Sequence, residues 1–571
     1  MSPTDATEVL QRRTNSALWA AWADSLGFVT ELTDEAGMHR RLAGRALLEP
    51  LEWKRRVGGK FGAAVNLPAG TYSDDTQLRL AVGRAIRPSG FDAEAFAKVE
   101  LPIWTSYALG GGRASKAAAS HITGPSIPWF GNCFKGWTDA GGNGAAMRVQ
   151  PHVWAAQDPG RVGPHLLDVV SDSVITHGHP RALIGALFHA IAVGYALDRG
   201  NVPSVDEWIN LVDELHQFPE AMRGHMELSM WRAAWERDSQ ASLDEAWKST
   251  VIEVAEMIPA ADEFVAAAGP AVQCEDHVRL GQSYEVLIEN LGLRAPATRG
   301  SGTATVIAAH AIAAAGVSDP LLILRMVIAS LGTDTDTIAT MAAALLGCVT
   351  GSEPPGSIAD REYIVAESHR FARISAGEYG EADRFAYPDL LHWEAPKTQA
   401  SAVGLVDGKP AVAGLGVCED FSSAGSARSF SWSWAKLEFG QTILVKHRSE
   451  LEELPQVQYP VAQPKLRGQV HDRLEESDQE PSSVQQEITF PMTPSALQEN
   501  YSQRSDRRRP VENQSLNVDA MLDWIRSQGH TDQAIGYAVR RIAEIGTTEQ
   551  MIAFTATLRA EIRNTKISGS R

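Results

Sequence analysis

The chain has 571 residues, of which 44% are apolar and 21% charged, a balance ordinary for a globular protein but too long for one typical domain. A formal charge of −18, from 52 basic and 70 acidic residues, argues against broad charge-driven nucleic-acid binding and leaves room only for a local basic patch. Cys133, Cys274, Cys348 and Cys418 are scattered without CxxC or Cys/His spacing, so neither a disulfide framework nor a zinc site is indicated and a reducing cytoplasm is the expected setting.

The first eleven residues are polar and acidic, with no apolar signal-peptide core. From Ser16 to about Tyr387, Ala, Leu, Ile and Trp recur at helical spacing with few alternating segments, which predicts an all-α domain. Ser73-Asp74-Asp75-Thr76 opens one such helix, with Leu78, Ala81, Val82, Ala85 and Ile86 behind it. Gly142-Asn143-Gly144 reads as a loop turn. Ala182 to Leu197 is strongly apolar but shorter than the roughly 20 residues a membrane span needs, and His189 interrupts it, so it reads as a buried helix. Thr303 to Ala315 and Leu321 to Leu331 fit interior helices.

Gly332-Thr333-Asp334-Thr335-Asp336-Thr337 opens another helix, followed by Ile338, Met341, Ala342, Leu345, Leu346 and Val349. Asp, Ser and Thr at a helix start ordinarily cap free N–H groups. Two clusters with this many carboxylates exceed what capping needs, and like charges packed together favour a cation between them. Oxygen ligands would select Mg²⁺, Mn²⁺ or Ca²⁺ over zinc. Solvated loop acids are the competing reading of the spacing.

Beyond Ala402 the pattern changes. Val403–Val406 and Ala411–Ala413 flank Asp407-Gly408, a two-residue hairpin signal, and Phe430, Trp432 and Trp434 alternate with serines. A small β appendage is expected, its aromatics on one face and against the helical body. Residues 449–515, rich in Gln, Glu, Ser, Arg and Pro, read as a flexible linker, with Arg507-Arg508-Arg509 a solvated run. Helical spacing returns at Met521, Leu522, Trp524 and Ile525 and continues to Leu558, with Thr531-Asp532 and Thr547-Thr548 as candidate caps. A three-helix mini-domain this small is marginal alone, so docking to a partner or a second copy is plausible.

Five segments in order resemble the ADP-ribosylglycohydrolases, the group containing dinitrogenase-reductase-activating glycohydrolase. They are Ala23-Asp24-Ser25-Leu26-Gly27-Phe28-Val29-Thr30-Glu31, Ser73–Thr76, Gly142–Arg148, Thr176-His177-Gly178-His179-Pro180 and Gly332–Thr337. Ala23 stands where the family usually has glycine, Thr30 departs from its small or apolar choices, and Ser73 replaces a Thr while keeping the hydroxyl. Ala140 and Gly141 lack side chains to position a substrate, with Asp139 nearby, so substrate preference is left open.

The resemblance implies an orthogonal helical core and hydrolysis of the bond between the terminal ribose of ADP-ribose and an acceptor. It implies that Ser73, Asp74, Asp75, Asp334, Asp336 and Thr337 hold two Mg²⁺ (or Mn²⁺) ions. Glu31, Asp75 and Asp334 are the implied catalytic carboxylates, Glu31 as general acid/base or metal-gating ligand. Asn143, Gly144 and His177 would bind substrate. Asp24 fits a cap or a supporting partner equally, His179 a structural role, and Arg148 either a phosphate ligand or a buried ion pair.

The expected organisation is a catalytic domain over 12–395, a β-rich appendage over 400–448, a linker over 449–515 and a helical mini-domain over 516–567. The expected partner is an ADP-ribosylated protein, with a small ADP-ribose derivative or a modified nucleic-acid base as alternative acceptors and no membrane. A non-catalytic, crystallin-like or ADP-ribose-binding member is the rival from another class. Six oxygen-bearing ligand positions weigh against it.

Overall fold

The structure, a computed structural model, describes residues 3–124, 127–380, 383–460 and, further on, 518–527, 535–536, 538–539, 542, 547 and 550–559. It divides into two units, Met1–Pro491 and Met492–Arg571.

The first unit is built on α1 (Pro3–Thr30) and α9 (Thr335–Val349), which lie side by side. Between them in sequence come α2 (Glu35–Leu42), the hairpin strands β1 (Trp53–Val57) and β2 (Ala63–Leu67), α3 (Asp74–Ala85), α4 (Arg113–His121), α5 (Pro164–Thr176), α6 (Pro180–Arg199), α7 (Leu243–Gln273) and α8 (Gly302–Ala315). α10 (Arg361–Ala376) follows α9 and also lies against α1. α8 and α9 are buried on nearly every face, as their Ala-rich, almost uncharged sequences require. Small residues set the approach: a Cβ at Gly347 of α9 would stand 2.6 Å from the Asn15 carbonyl oxygen of α1.

α6 is the one helix among the described residues long and apolar enough to cross a membrane, and 83% of its apolar window is buried inside the protein. It is a core helix, packed against α5, α8 and α9.

The helical body also carries the β1–β2 hairpin, which helical periodicity does not announce. Its strands pair antiparallel from Trp53↔Leu67 to Val57↔Ala63, around a turn with positive φ at Gly58 and Gly59. β2 alternates buried and exposed residues, placing Ala63, Val65 and Leu67 inward.

The second sheet is a five-stranded antiparallel meander of β3 (Val403–Val406), β4 (Lys409–Val412), β5 (Gly416–Ala427), β6 (Phe430–Leu437) and β7 (Thr442–Arg448). Asp407 and Gly408 form the β3–β4 turn, both at positive φ. Trp432 is buried with Phe28, Trp53 and Val65, and Phe430 and Trp434 pack against the same cluster. Residues 449–459, linker-like in composition, lie on this sheet: the Leu405 N–H donates to the Glu452 carbonyl, the Leu454 N–H to the Leu405 carbonyl, and the Gly414 N–H to the Gln458 carbonyl. The rest of the expected linker, including Arg507–Arg509, lies outside the described residues.

In the second unit, α11 (Val518–Ser527) contributes Leu522 and Ile525 to a small core with Ala538, Ile542, Phe554 and Leu558. Thr547 and Gln550 form a reciprocal cap, the Thr547 N–H donating to Gln550 Oε1 and the Gln550 N–H to Thr547 Oγ1. The candidate cap at Thr531-Asp532 lies outside the described residues.

Candidate metal and substrate site

Two helix N-termini and one helix C-terminus converge. Ser73 caps α3: its hydroxyl accepts the Asp75 N–H at 3.2 Å and donates to Asp75 Oδ2 at 3.2 Å. Asp334 occupies the N-cap position of α9, and Asp336 in its first turn accepts the Thr337 N–H at 3.0 Å. Glu31 immediately follows the last residue of α1.

Carboxylate oxygens of Glu31, Asp334 and Asp336 lie within 4.8 Å of one another. Asp74 and Asp75 stand beside this triad and both feel the charge of Asp334. Thr337 is buried at the same helix start. The structure therefore gathers Glu31, Ser73, Asp74, Asp75, Asp334, Asp336 and Thr337 into one region, with Glu31 in direct company with the second cluster.

Electrostatics show how costly this gathering is without a counter-charge. Burial first, then Asp334 and Asp74, push Glu31 up to about 7 against the pull of Arg55 and Arg41. Burial and the Asp24 charge push Asp74 up to about 6, and burial with Asp24, Asp74 and Asp334 raises Asp75 well above the carboxylate range. Burial, then Glu31, Asp75 and Asp334, do the same to Asp336. Asp75 Oδ1 is buried and has no hydrogen-bond partner among the described residues. A hard divalent cation answers both the surplus charge and the unpartnered oxygen, so the residues present fit such an ion.

Asp24 is a cap supplied from a distance. Its Oδ1 accepts the Ser73 N–H at 3.0 Å, and its Oδ2 accepts the Thr76 N–H at 2.9 Å and the Thr76 hydroxyl at 2.6 Å. It fixes the start of α3 relative to α1 and so aims Asp74 and Asp75. Thr30, the departure in the opening segment, donates to Thr335 Oγ1 at 2.9 Å, while the Thr335 hydroxyl donates to the Gly27 carbonyl at 3.0 Å. The two segments are stitched together through these hydroxyls.

The Gly142-Asn143-Gly144 turn pairs with the segment before α8: Gly142 bridges Ser301, and the Asn143 N–H donates to the Gly300 carbonyl at 2.9 Å. Asn143 Nδ2 donates to Asp334 Oδ2 at 2.8 Å, joining this loop to the carboxylates. His177 approaches the same loop; a Cβ at Gly144 would lie 3.1 Å from its Cε1.

Arg148 Nη2 donates to Thr176 Oγ1, which also shares a hydrogen bond with His177 Nδ1 at 2.7 Å. Burial and Arg148 hold His177 neutral by lowering it to about 3.

Arg148 itself is fully buried in an ion pair with Asp172 and donates to the Gly144 carbonyl at 3.0 Å, so it shapes the loop. His179 caps α6, accepting the Arg181 N–H at 3.1 Å.

One charged group escaped sequence reasoning. Arg55 on β1 faces Glu31, Asp336 and Asp74, with its guanidinium 4.2 Å from the Phe28 ring centroid. Nothing in its local sequence distinguishes it from the exposed Lys54 and Arg56 beside it except strand alternation.

Two helices thus deliver paired acidic N-termini to one largely buried cluster beside a glycine-rich turn, a donor set that fits a divalent cation. A family model described as ADP-ribosylglycohydrolase matches residues 6–355, and the chain belongs to that family. A solved structure titled "ADP-ribosylglycohydrolase-related protein complex" is similar at 21% identity over 65% of this chain and 99% of that one, with a TM-score of 0.38. No curated protein matches.

Proposed function

We propose that the protein is a divalent-metal-dependent ADP-ribosyl hydrolase that removes ADP-ribose from a modified acceptor, most simply a protein side chain in the cytoplasm. The observation that carries the reading is the convergence of buried Asp74, Asp75 and Asp336 with half-buried Glu31 and Asp334, with Asp75 Oδ1 unpartnered among the described residues. Ser73, Asp74, Asp75, Asp334, Asp336 and Thr337 would hold two Mg²⁺ or Mn²⁺ ions. Such ions supply Lewis acidity and orientation of ribose hydroxyls.

The chain's own residues do the rest. The Gly142 and Gly144 N–H groups and the His177 ring bind the ADP portion, which sets the terminal ribose against the carboxylates. There the bond from the anomeric carbon to the acceptor breaks, a water oxygen bonds to that carbon, and a proton passes to the acceptor. Positive charge developing on the ribose is stabilised by Asp75 and Asp334. Glu31, at the end of α1 beside Asp334 and Asp336, is the acid/base group.

The test is ADP-ribose release from arginine-, serine-, asparagine- and nucleic-acid-linked substrates with Mg²⁺ or EDTA. Metal-dependent release supports the reading and names the acceptor. Release from none, with divalent binding intact, would oppose a macromolecular acceptor and turn the reading toward a small ADP-ribose derivative.

A further inference from the structure

β1 turns Trp53 and Arg55 inward and Lys54 and Arg56 outward. Trp53 is buried and meets the Phe28 ring edge-on at 5.3 Å, which anchors the strand over the end of α1. Arg55 stacks on the same Phe28 ring and reaches toward the carboxylates, with Nη1 buried and without a hydrogen-bond partner among the described residues. Arg41 differs: its Nη1 already donates to the carbonyls of Val29, at 2.6 Å, and Glu31, at 3.1 Å. Arg55 thus has a donor to spare next to Glu31.

The groups also have an order across the site. Asn143 of the glycine-rich turn bonds Asp334, Asp334 neighbours Glu31, and Glu31 feels Arg55. If the ADP portion sits on the turn and the ribose at the carboxylates, as the hydrolase reading has it, an acceptor on the Glu31 side meets Arg55.

Arg55 has little freedom to move aside. A Cβ at Gly58, in the hairpin turn, would stand 2.4 Å from the Trp432 ring of β6, and one at Gly425 of β5 would lie 3.4 Å from Ala63 of β2. The sheet beyond the family match therefore braces the strand that carries Arg55.

We propose that Arg55 is a specificity-determining residue, selecting ADP-ribose linked through oxygen to a neutral or anionic acceptor and rejecting ADP-ribose linked to a guanidinium. This rests on the hydrolase reading above. An arginine acceptor would bring a second guanidinium beside a fixed one in a partly desolvated place, where like charges repel strongly. An oxygen-linked acceptor instead offers Nη1 the hydrogen-bond acceptor it lacks.

The experiment compares kcat/KM of the full chain on serine-linked and arginine-linked ADP-ribosyl peptides, for wild type, Arg55→Gln, Arg55→Met and Arg55→Lys. The expected wild-type preference for the serine linkage is at least about tenfold. Gln and Met should shrink that ratio by at least about tenfold, and Lys, which keeps the charge, should retain most of it. Met preserves apolar contact with Phe28, so a folding defect in the Gln variant does not decide the outcome. Wild type favouring the arginine linkage, or a ratio unchanged in both Gln and Met, overturns the inference while leaving the hydrolase reading intact. Cleavage of neither substrate by a folded wild type overturns the inference, and the wider substrate panel above decides the hydrolase reading separately.

Discussion

Gly27 sits so close to Asp336 that a Cβ at position 27 would stand 2.4 Å from the Asp336 Cα and 2.6 Å from its backbone nitrogen. The end of α1 and the start of α9 meet backbone to backbone at the carboxylates, and only a glycine permits it. Gly27→Ala is expected to cost about 3 kcal/mol, the upper part of the range for overpacking, because the obstacle is main chain and cannot rotate away. A thermal melt checks the stability loss, and calorimetry should show weaker divalent binding as Asp336 is pushed from its place.

Asp24 supports the site without lending it a free oxygen, since both its carboxylate oxygens accept from α3. Asp24→Ala should destabilise the protein by about 2 kcal/mol through loss of charged hydrogen bonds at a helix start. It should also weaken divalent affinity by roughly 10- to 100-fold, as loss of an outer support does elsewhere. Titration of the variant with Mn²⁺ measures this; unchanged affinity would deny Asp24 its positioning role.

Stability should depend on pH in a way that the cation reverses. Carboxyls raised above their unfolded values of about 4, as Glu31 at about 7 and Asp74 at about 6 are, hold protons more tightly in the folded chain. Their contribution is fully present below about pH 4 and is lost as pH rises through about 6 to 7. The cation-free protein therefore loses stability over that window. A divalent cation competes with those protons, so the rise in Tm on adding Mg²⁺ should be larger at about pH 8 than at about pH 5. Melts with EDTA and with Mg²⁺ at the two pH values check it; an equal rise at both would contradict the raised carboxyls.

Trp432 joins the second sheet to the hairpin over the site. Trp432→Ala should cost about 3–5 kcal/mol, as for other buried aromatics. Hydrogen exchange should show β1 and β2 opening more readily while α9 stays protected, because the lost contact is with the hairpin.

The helix starts at this candidate site were legible in the sequence because capping chemistry is local, and the resemblance, not the spacing, singled them out as metal ligands. Ser73, Asp74, Asp75, Asp334 and Asp336 announce helix starts whatever surrounds them, and a glycine-rich turn announces itself through Gly142 and Gly144. The roles of Thr30 and Arg55 were not legible, and Asp24 was legible as a cap or supporting partner but not as to which helix it serves. Asp24 caps a helix 49 residues downstream, Thr30 reaches Thr335 across 305 residues, and Arg55 gains its setting from a sheet near the other end of the unit. These are tertiary contacts, to which helical or strand periodicity is blind. The Asp407-Gly408 turn belongs to the local kind, and the attachment of residues 449–459 to the sheet to the other, since their bonds are backbone to backbone and leave no mark on composition.

The most direct measurement is ADP-ribose release by wild type and Asp336→Asn as Mg²⁺ or Mn²⁺ is titrated into EDTA-treated protein. The account expects release that rises from background with cation in the wild type and falls by at least about 100-fold in the variant, whose melt stays cooperative. Release that persists in EDTA, or survives in Asp336→Asn, would contradict a metal-dependent site built on these carboxylates.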